Sequence, residues 1–423
     1  MPARVRTWRS MVREAAWLAV DSVRSQPARS FLAILGIVIG IVTVVLVTAV
    51  LANVRNSVAL LFRELGTENI FAFHLTGDPY QPASEQEARR KPLKPAFADE
   101  LARAGSAVRE VAVQVIVPPI VNNRALTARA GDNETDTVLV EGQSANFFEV
   151  AGAEFAAGRP FTDLESRAAA HVAIVGSSLA RALYGSASAV GKSLVLAGET
   201  YFVVGETAPR KGGFFGENRQ DSVLAIPMGT VARRFPDVET TVLYIRSRPG
   251  MRQQAWNETE TILRRLRRLG PDQENDFTLS TSESIIRTLD DISARVGLVT
   301  IALAAVSLII GGIGIANVMI ISVTERTREI GTRLAIGARR REVLGQFLIE
   351  AALLSTLGGA AGVLVALGMG VVLTWFVSGF SAVVPVWAII AGLAASLGVG
   401  VTAGYWPASR AAALDPIEAL RYE

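Results

Sequence analysis

Three places in this chain of 423 residues hold side chains whose types and spacing could do chemistry. The first is 185–193, GSASAVGKS, which approaches a phosphate-cradling loop. That motif needs Gly, four residues, then Gly-Lys-Ser, so that consecutive backbone N–H groups wrap the phosphates. Here Ser186 stands five before Gly191, and Gly185 lies one residue too far away. The segment also leads into a strand-like stretch instead of a helix, so it reads as a turn. With no other Walker-type segment, the chain is not expected to hydrolyse ATP. The second place is the histidine pair, His74 and His171. Two imidazoles without a single cysteine cannot build a His/Cys metal cluster, and thiolate and disulfide chemistry are closed. With no Ser/His/Asp set or paired carboxylates either, catalytic and metal-ligating residues are expected to be none. Both histidines read as surface groups or satisfied polar contacts.

The third place is 323–343, VTERTREIGTRLAIGARRREV, with six arginines and three glutamates between two long apolar runs. Its chemistry is ionic recognition: guanidinium and carboxylate groups on a helix-forming stretch, offered to a partner. Beyond it, Glu350 is the one charge within 343–409. An acid inside an apolar run is a functional candidate by default. It lies only about 10 Å past Val343 at helical rise, so the expectation is a structural ion pair with a loop arginine and not a proton relay.

The elements that position these groups are membrane spans. Half of the residues are apolar, and 30–54, 296–324 and 351–409 carry no charge. A span needs about 20 apolar residues to cross a hydrocarbon core of about 30 Å. The first two runs hold one helix each; the third is too long for one and breaks at 377–385, VSGFSAVVP, giving four spans in all. Small residues four apart, at Gly36 and Gly40, Gly358 and Gly362, and Gly400 and Gly404, let helix backbones approach closely. They serve either packing within the chain or a seam with a second copy.

Charge sets the topology. The first 29 residues hold six arginines against two acids, and the Arg/Glu loop is equally basic, so both face the cytoplasm by the positive-inside rule. The net charge of +3 gathers beside apolar runs, which points to the bilayer and not to nucleic acid. A cleaved signal peptide is the competing account of the first run, but 29 residues precede it and it exceeds the usual signal core of about 7–15. The expected order is a cytoplasmic interfacial helix in 1–29 (Trp8, Met11, Val12, Ala15, Ala19 and Val23 at helical spacing), a span at 30–54, and an external domain at 55–295. Then follow a span at 296–323, a cytoplasmic loop helix at 324–342, spans at 343–376 and 383–408, and a cytoplasmic tail at 409–423. The fold class is a membrane protein of four transmembrane α-helices, arranged one plus three, with a large extracytoplasmic α+β domain between helices 1 and 2.

Within that domain, alternation and β-branching predict strands at 111–117, 136–141, 172–175, 193–196 and 201–204, the last two joined by a hairpin at 197–199. Helices are expected at 96–104, 178–183 and 251–269, with a Pro-rich loop at 79–95 and two subdomains in all. The run Arg264, Arg265, Arg267 and Arg268 reads as a solvated helix face.

At 317–352, NVMIISVTERTREIGTRLAIGARRREVLGQFLIEAA, the chain resembles the MacB/FtsX superfamily of ABC transporter permeases. The resemblance extends to 29–40 (the family's first span), to 140–159 (its periplasmic core) and to 407–420 (its C-terminal end); Ala189 stands where the family often has proline. It implies a coupling helix that docks in a groove of the ATPase, with Thr324, Glu325, Arg326, Arg328, Glu329, Ile330, Gly331, Arg333 and Leu334 at or near the contact. Ile330, Leu334 and Ile336 would pack against the ends of the spans, and Gly337 suits a helix C-terminus. It further implies an inner-membrane protein acting as a dimer, with itself or a paralogue, and mechanotransmission of ATP-driven motion to the periplasmic side for efflux. Fused exporters of the family carry their ATPase before the first span; with 29 residues there, the ATPase is expected to be a separate polypeptide that binds the ATP and Mg. A periplasmic adaptor and an outer-membrane channel are the further partners of that reading. A lipoprotein-releasing permease and an FtsX-like regulator of a periplasmic hydrolase are the alternatives.

Overall fold

The computed structural model describes residues 27–64, 66, 68–76, 85–121, 123–210, 218–376 and 383–421. The expected interfacial helix at 8–26 and most of the break at 377–385 lie outside these residues. The helices used below are α1 (Pro27–Glu64), α2 (Phe97–Ala104), α3 (Ser177–Tyr184), α4 (Met228–Arg234), α5 (Arg252–Leu266), α6 (Ser282–Glu325), α7 (Thr327–Ala335), α8 (Arg340–Phe376), α9 (Val386–Ala412) and α10 (Pro416–Arg421). Among the described residues four of them, α1, α6, α8 and α9, are long and apolar enough to span a bilayer.

Two spans are longer than charge suggested. The 38 residues of α1 and 44 of α6 measure about 57 and 66 Å at helical rise, against about 30 Å of hydrocarbon. The expected borders at 54/55 and 295/296 therefore fall inside continuous helices. Charge marks where the bilayer ends, whereas a helix ends only at a breaker, and neither 55–64 nor 282–295 contains Gly or Pro.

The chain divides into two compact units, one formed by 290–423 with 1–54 and the other by Arg55–Leu289. In the first, α1 carries a stripe of Ala33, Ile37, Ile41, Val45 and Ala49, every fourth residue and each at most 3% exposed. Lipid tails are as apolar as these side chains, so close packing and not water exclusion holds such helices together.

In the second unit the strands of three or more residues are β1 (Asn69–Phe73), β2 (Val108–Val117), β3 (Ala128–Ala130), β4 (Leu139–Gln143), β5 (Phe155–Gly158), β6 (Val172–Val175), β7 (Ser193–Leu196), β8 (Glu199–Thr207), β9 (Val223–Pro227), β10 (Thr241–Ser247) and β11 (Thr278–Thr281). They form one mixed sheet in the order β11-β1-β10-β2-β4-β9-β6-β8-β7-β3, with β5 on β8. The pairs β4–β9 and β6–β8 are parallel. The two expected subdomains thus share one sheet, whose halves meet where Leu224 and Ala225 pair with Val175 and Ile174. Strands β6 and β7 match their expected ranges, and Ala197 and Gly198 make the β7–β8 hairpin with φ of 50° and 84°, the left-handed pair a two-residue turn requires. Strands β1, β9, β10 and β11 carried no clear alternation and went unread; β1 and β9 are buried on both faces, which erases the period of two. Helices α2 and α5 lie within the expected segments, and α3 exceeds its own, 178–183, by one residue at each end.

Candidate functional site

The Arg/Glu loop is not one helix over 324–342. Helix α6 runs to Glu325, Arg326 breaks the geometry at φ −104° and ψ 14°, and α7 occupies only Thr327–Ala335. Gly337 then reverses the chain at φ +98°, a conformation that suits glycine, with its N–H donated to the Leu334 carbonyl and the Ala338 N–H to that of Arg333. Helix α8 starts at Arg340, where the Glu342 carboxylate accepts the Arg339 N–H at 3.1 Å.

This short helix sorts the nine expected coupling residues by face. Thr324, Glu325, Arg328 and Glu329 are exposed, with Thr332 beside them. Ile330 and Gly331 are buried, and Leu334 packs partly against the span core. Gly331 faces α10: a Cβ there would lie 2.5 Å from the Ala419 Cβ, so the two short helices touch backbone to side chain. Helix α10 is set by Asp415, whose carboxylate accepts the Ile417 N–H at 2.8 Å, with Pro416 at the first helical position. Ile336 is a correction: expected against the spans, it is 81% exposed, because the helix has already ended and the chain is turning at Gly337.

Two of the arginines point inward. Arg326 Nη1 lies 3.6 Å from Glu350 Oε1, and Glu350 is fully buried. Arg333 Nη1 donates to Gln346 Oε1 at 2.8 Å and also pairs with Glu329. Gln346 and Glu350 stand one turn apart on one face of α8, so the two arginines clasp the loop to α8 at two points. A buried carboxylate is tolerated only with such a partner.

All six expected packing glycines meet helices of this same chain. A Cβ on Gly36 would come within 2.9 Å of the Gly311 backbone, and one on Gly40 within 3.2 Å of the Ala304 carbonyl, which seats α1 on α6. Gly358 and Gly362 receive Ile37 and Ile41, joining α8 to α1. Gly400 and Gly404 receive Ser355 and Ala351 so closely that a Cβ on either glycine would overlap them, joining α9 to α8. Each of the six is thus in a packing contact within the chain. Sequence reasoning missed the reciprocal contact, Ser396 of α9 on Gly359 of α8; the doublet Gly358-Gly359 was the available signal.

The remaining candidates lie in the domain between α1 and α6. Segment 185–193 is a turn with φ of 67° at Gly185 and 85° at Gly191, and Lys192 stacks over the Tyr184 ring at 5.0 Å. His171 is exposed, 3.8 Å from Glu199. His74 is buried, and burial together with the cations Arg267 and Arg90 pushes its pKa below the ordinary imidazole value, so it stays neutral. The arginine run is corrected in part. Arg265 and Arg268 lie at the surface, but the Arg267 side chain is 5% exposed and grips Asp276 in a bidentate pair, while Arg264 Nη1 donates to the Gln273 carbonyl at 3.0 Å.

Four apolar spans with a mixed α/β domain between the first and second give the architecture of a polytopic membrane protein. A family model for the MacB-like periplasmic core domain matches residues 30–259, and one for the FtsX-like permease C-terminal region matches 301–416. The chain belongs to the MacB/FtsX superfamily of ABC transporter permeases, proteins of the inner membrane. It is 32% identical over 97% of its length to the macrolide export ATP-binding/permease protein MacB of Bradyrhizobium diazoefficiens, and 33% identical over 97% to MacB 2 of Aeromonas hydrophila. It spans only 60% and 61% of those two relatives. Among solved structures, the periplasmic region of MacB from Actinobacillus actinomycetemcomitans is similar at 17% identity and a TM-score of 0.44, covering 54% of this chain and 95% of that one.

Proposed function

We propose that this chain transmits ATP-driven motion from an ATP-binding subunit to its own periplasmic domain, in a MacB-type exporter working as a dimer of permeases. The observation that carries the reading is the sorting on α7. Its inner face is clasped to α8 by Arg326 and Arg333 and seated on α10 by Gly331, while Arg328, Glu329 and Thr332 are left exposed. A helix held on one side and charged on the other can be pushed as a rigid body. The basic loop and the basic first 29 residues favour a cytoplasmic α7. Motion applied there passes to α8 through the two arginines, and α1 and α6 run unbroken from the bilayer into residues 64 and 282 of the domain. Substrate is then handled on the periplasmic side and not through a polar pore, in keeping with spans that carry Glu350 as their one mid-run charge. The ATP and Mg are bound by the ATP-binding subunit, a separate chain in this reading. The relatives named for macrolide export make macrolides the first substrates to test.

The test is the charge swap Arg328→Glu with Glu329→Arg. Both side chains are exposed and Arg333 keeps its bond to Gln346, so losing the surface Glu329–Arg333 pair should cost only about 0.5 kcal/mol; membrane insertion and thermal stability are expected to stay close to wild type, while co-purification of the ATP-binding subunit and export are lost. Normal co-purification by the folded double variant would sink the assignment.

A further inference from the structure

Where α6 meets α7, a cleft of about 260 Å³ opens, with Ile320, Val323 and Thr327 on one wall and Pro407, Arg410 and Leu414 on the other. Most of its lining is apolar. Its threonine hydroxyls are turned to backbone: Thr324 donates to the Ile321 carbonyl at 2.8 Å, and Thr327 to that of Val323 at 3.0 Å. That leaves Arg410 as the cation of the cleft. Its guanidinium lies 4.7 Å over the Trp406 ring, and among the described residues no carboxylate comes within ion-pair distance of it. Glu418 lines the same cleft without forming an ion pair to Arg410. Stacking on the indole fixes the guanidinium plane and leaves its N–H edge free to meet an anion.

The height in the bilayer narrows the ligand. Helix α9 is uncharged from Val386, so Trp406 comes after about 30 Å of rise and Arg410 after about 36 Å. An exposed Trp406, 53% accessible, with a cation one turn beyond it is the pattern of an interfacial anchor at headgroup level. Below it, Ile320 continues the apolar wall toward the hydrocarbon, with Val323 buried at the back of the cleft. We propose that this cleft binds an anionic phospholipid, with the phosphate on Arg410, the glycerol region against Trp406 and an acyl chain along Ile320 and Val323. A free phosphate would use the arginine but not the apolar wall. Because Thr327 of α7 forms part of the cleft, a bound lipid braces the joint between α6 and α7. The site itself does not depend on the proposed coupling role; its assignment to the inner leaflet rests on the orientation proposed above.

Native mass spectrometry of the full-length chain tests this, with phosphatidylglycerol and phosphatidylcholine of identical acyl chains as probes. A single interfacial arginine contributes about a fivefold preference for the anionic lipid. The expected result is that preference in the wild type, its loss in Arg410→Gln, its retention in Arg410→Lys, and an intermediate value in Trp406→Leu. Equal retention of the two lipids by the wild type overturns the proposal, and so does an unchanged preference in a folded Arg410→Gln. If Arg410→Gln does not fold, the wild type still decides: its preference must fall as ionic strength rises, and a salt-independent preference overturns the site. Excess inorganic phosphate is expected to leave phosphatidylglycerol bound. Its displacement would show that the cleft reads phosphate alone, which overturns the phospholipid assignment. Variants that lose the lipid preference while keeping the ATP-binding subunit separate this site from the coupling surface.

Discussion

Glycines and one ion pair carry the residue scale. Gly404 and Gly36 look alike in sequence, yet their neighbours differ. A methyl on Gly404 overlaps the Ala351 Cβ and otherwise meets only backbone at 3.9 Å, whereas one on Gly36 meets the Gly311 backbone itself at 2.9 Å. Gly404→Ala is therefore expected to cost about 1–3 kcal/mol, the usual range for overpacking, and Ala351→Gly should recover most of it. Gly36→Ala should cost as much with no side chain available to remove. Thermal unfolding in detergent checks both, and full recovery of Gly36→Ala by any single side-chain truncation contradicts the contact. The Arg326–Glu350 pair is tested by a double-mutant cycle. Arg326→Met strands a buried carboxylate and should cost about 3–5 kcal/mol. Adding Glu350→Leu should restore most of that, and an additive loss in the double variant would argue against the pair.

At the scale of elements, α7 and α10 act as one platform because Gly331 and Ala419 leave no room between them. Gly331→Leu should pry the two helices apart. The expected result is weakened association with the ATP-binding subunit at near-normal membrane yield, read by co-purification and by proteolysis of the tail. Unchanged association would mean that α10 does not position α7. The sequence marked the Arg/Glu loop as helical but not where it breaks. Arg326 is an ordinary helix former, and it leaves helical geometry where its side chain turns to Glu350, a partner 24 positions away. Helix α10 was legible in principle from Asp415-Pro416, a cap followed by the residue favoured at the first helical position.

For the whole molecule, the continuity of α6 is the feature on which the proposed transmission depends. A Gly-Pro insertion after Leu289 would break the helix at the border of the two units without touching α7 or the sheet. Export should fall to background while ATP hydrolysis by the associated subunit continues. If export persists with the helix interrupted, work does not travel along α6. The same continuity explains why α1 and α6 outrun the expected borders at 54/55 and 295/296. Hydropathy reports the solvent around a segment, and a helix that leaves the bilayer into water changes its solvent without changing its backbone.

By itself, the sequence determined the number of spans, their order about one large domain, the basic character of the loop before α8 and the membership of a permease family. Each of these rests on local quantities: runs of apolar residues, clusters of arginine, and a contiguous motif at 324–338. Only the tertiary structure decided which arginines of that loop point inward, which helix each glycine receives, and that the strands of the domain join one sheet. Those facts depend on residues far apart in sequence meeting at a distance of a few ångströms, as Arg326 meets Glu350 and Gly331 meets Ala419. One chain read residue by residue carries the capacity for such contacts, and packing alone selects among them.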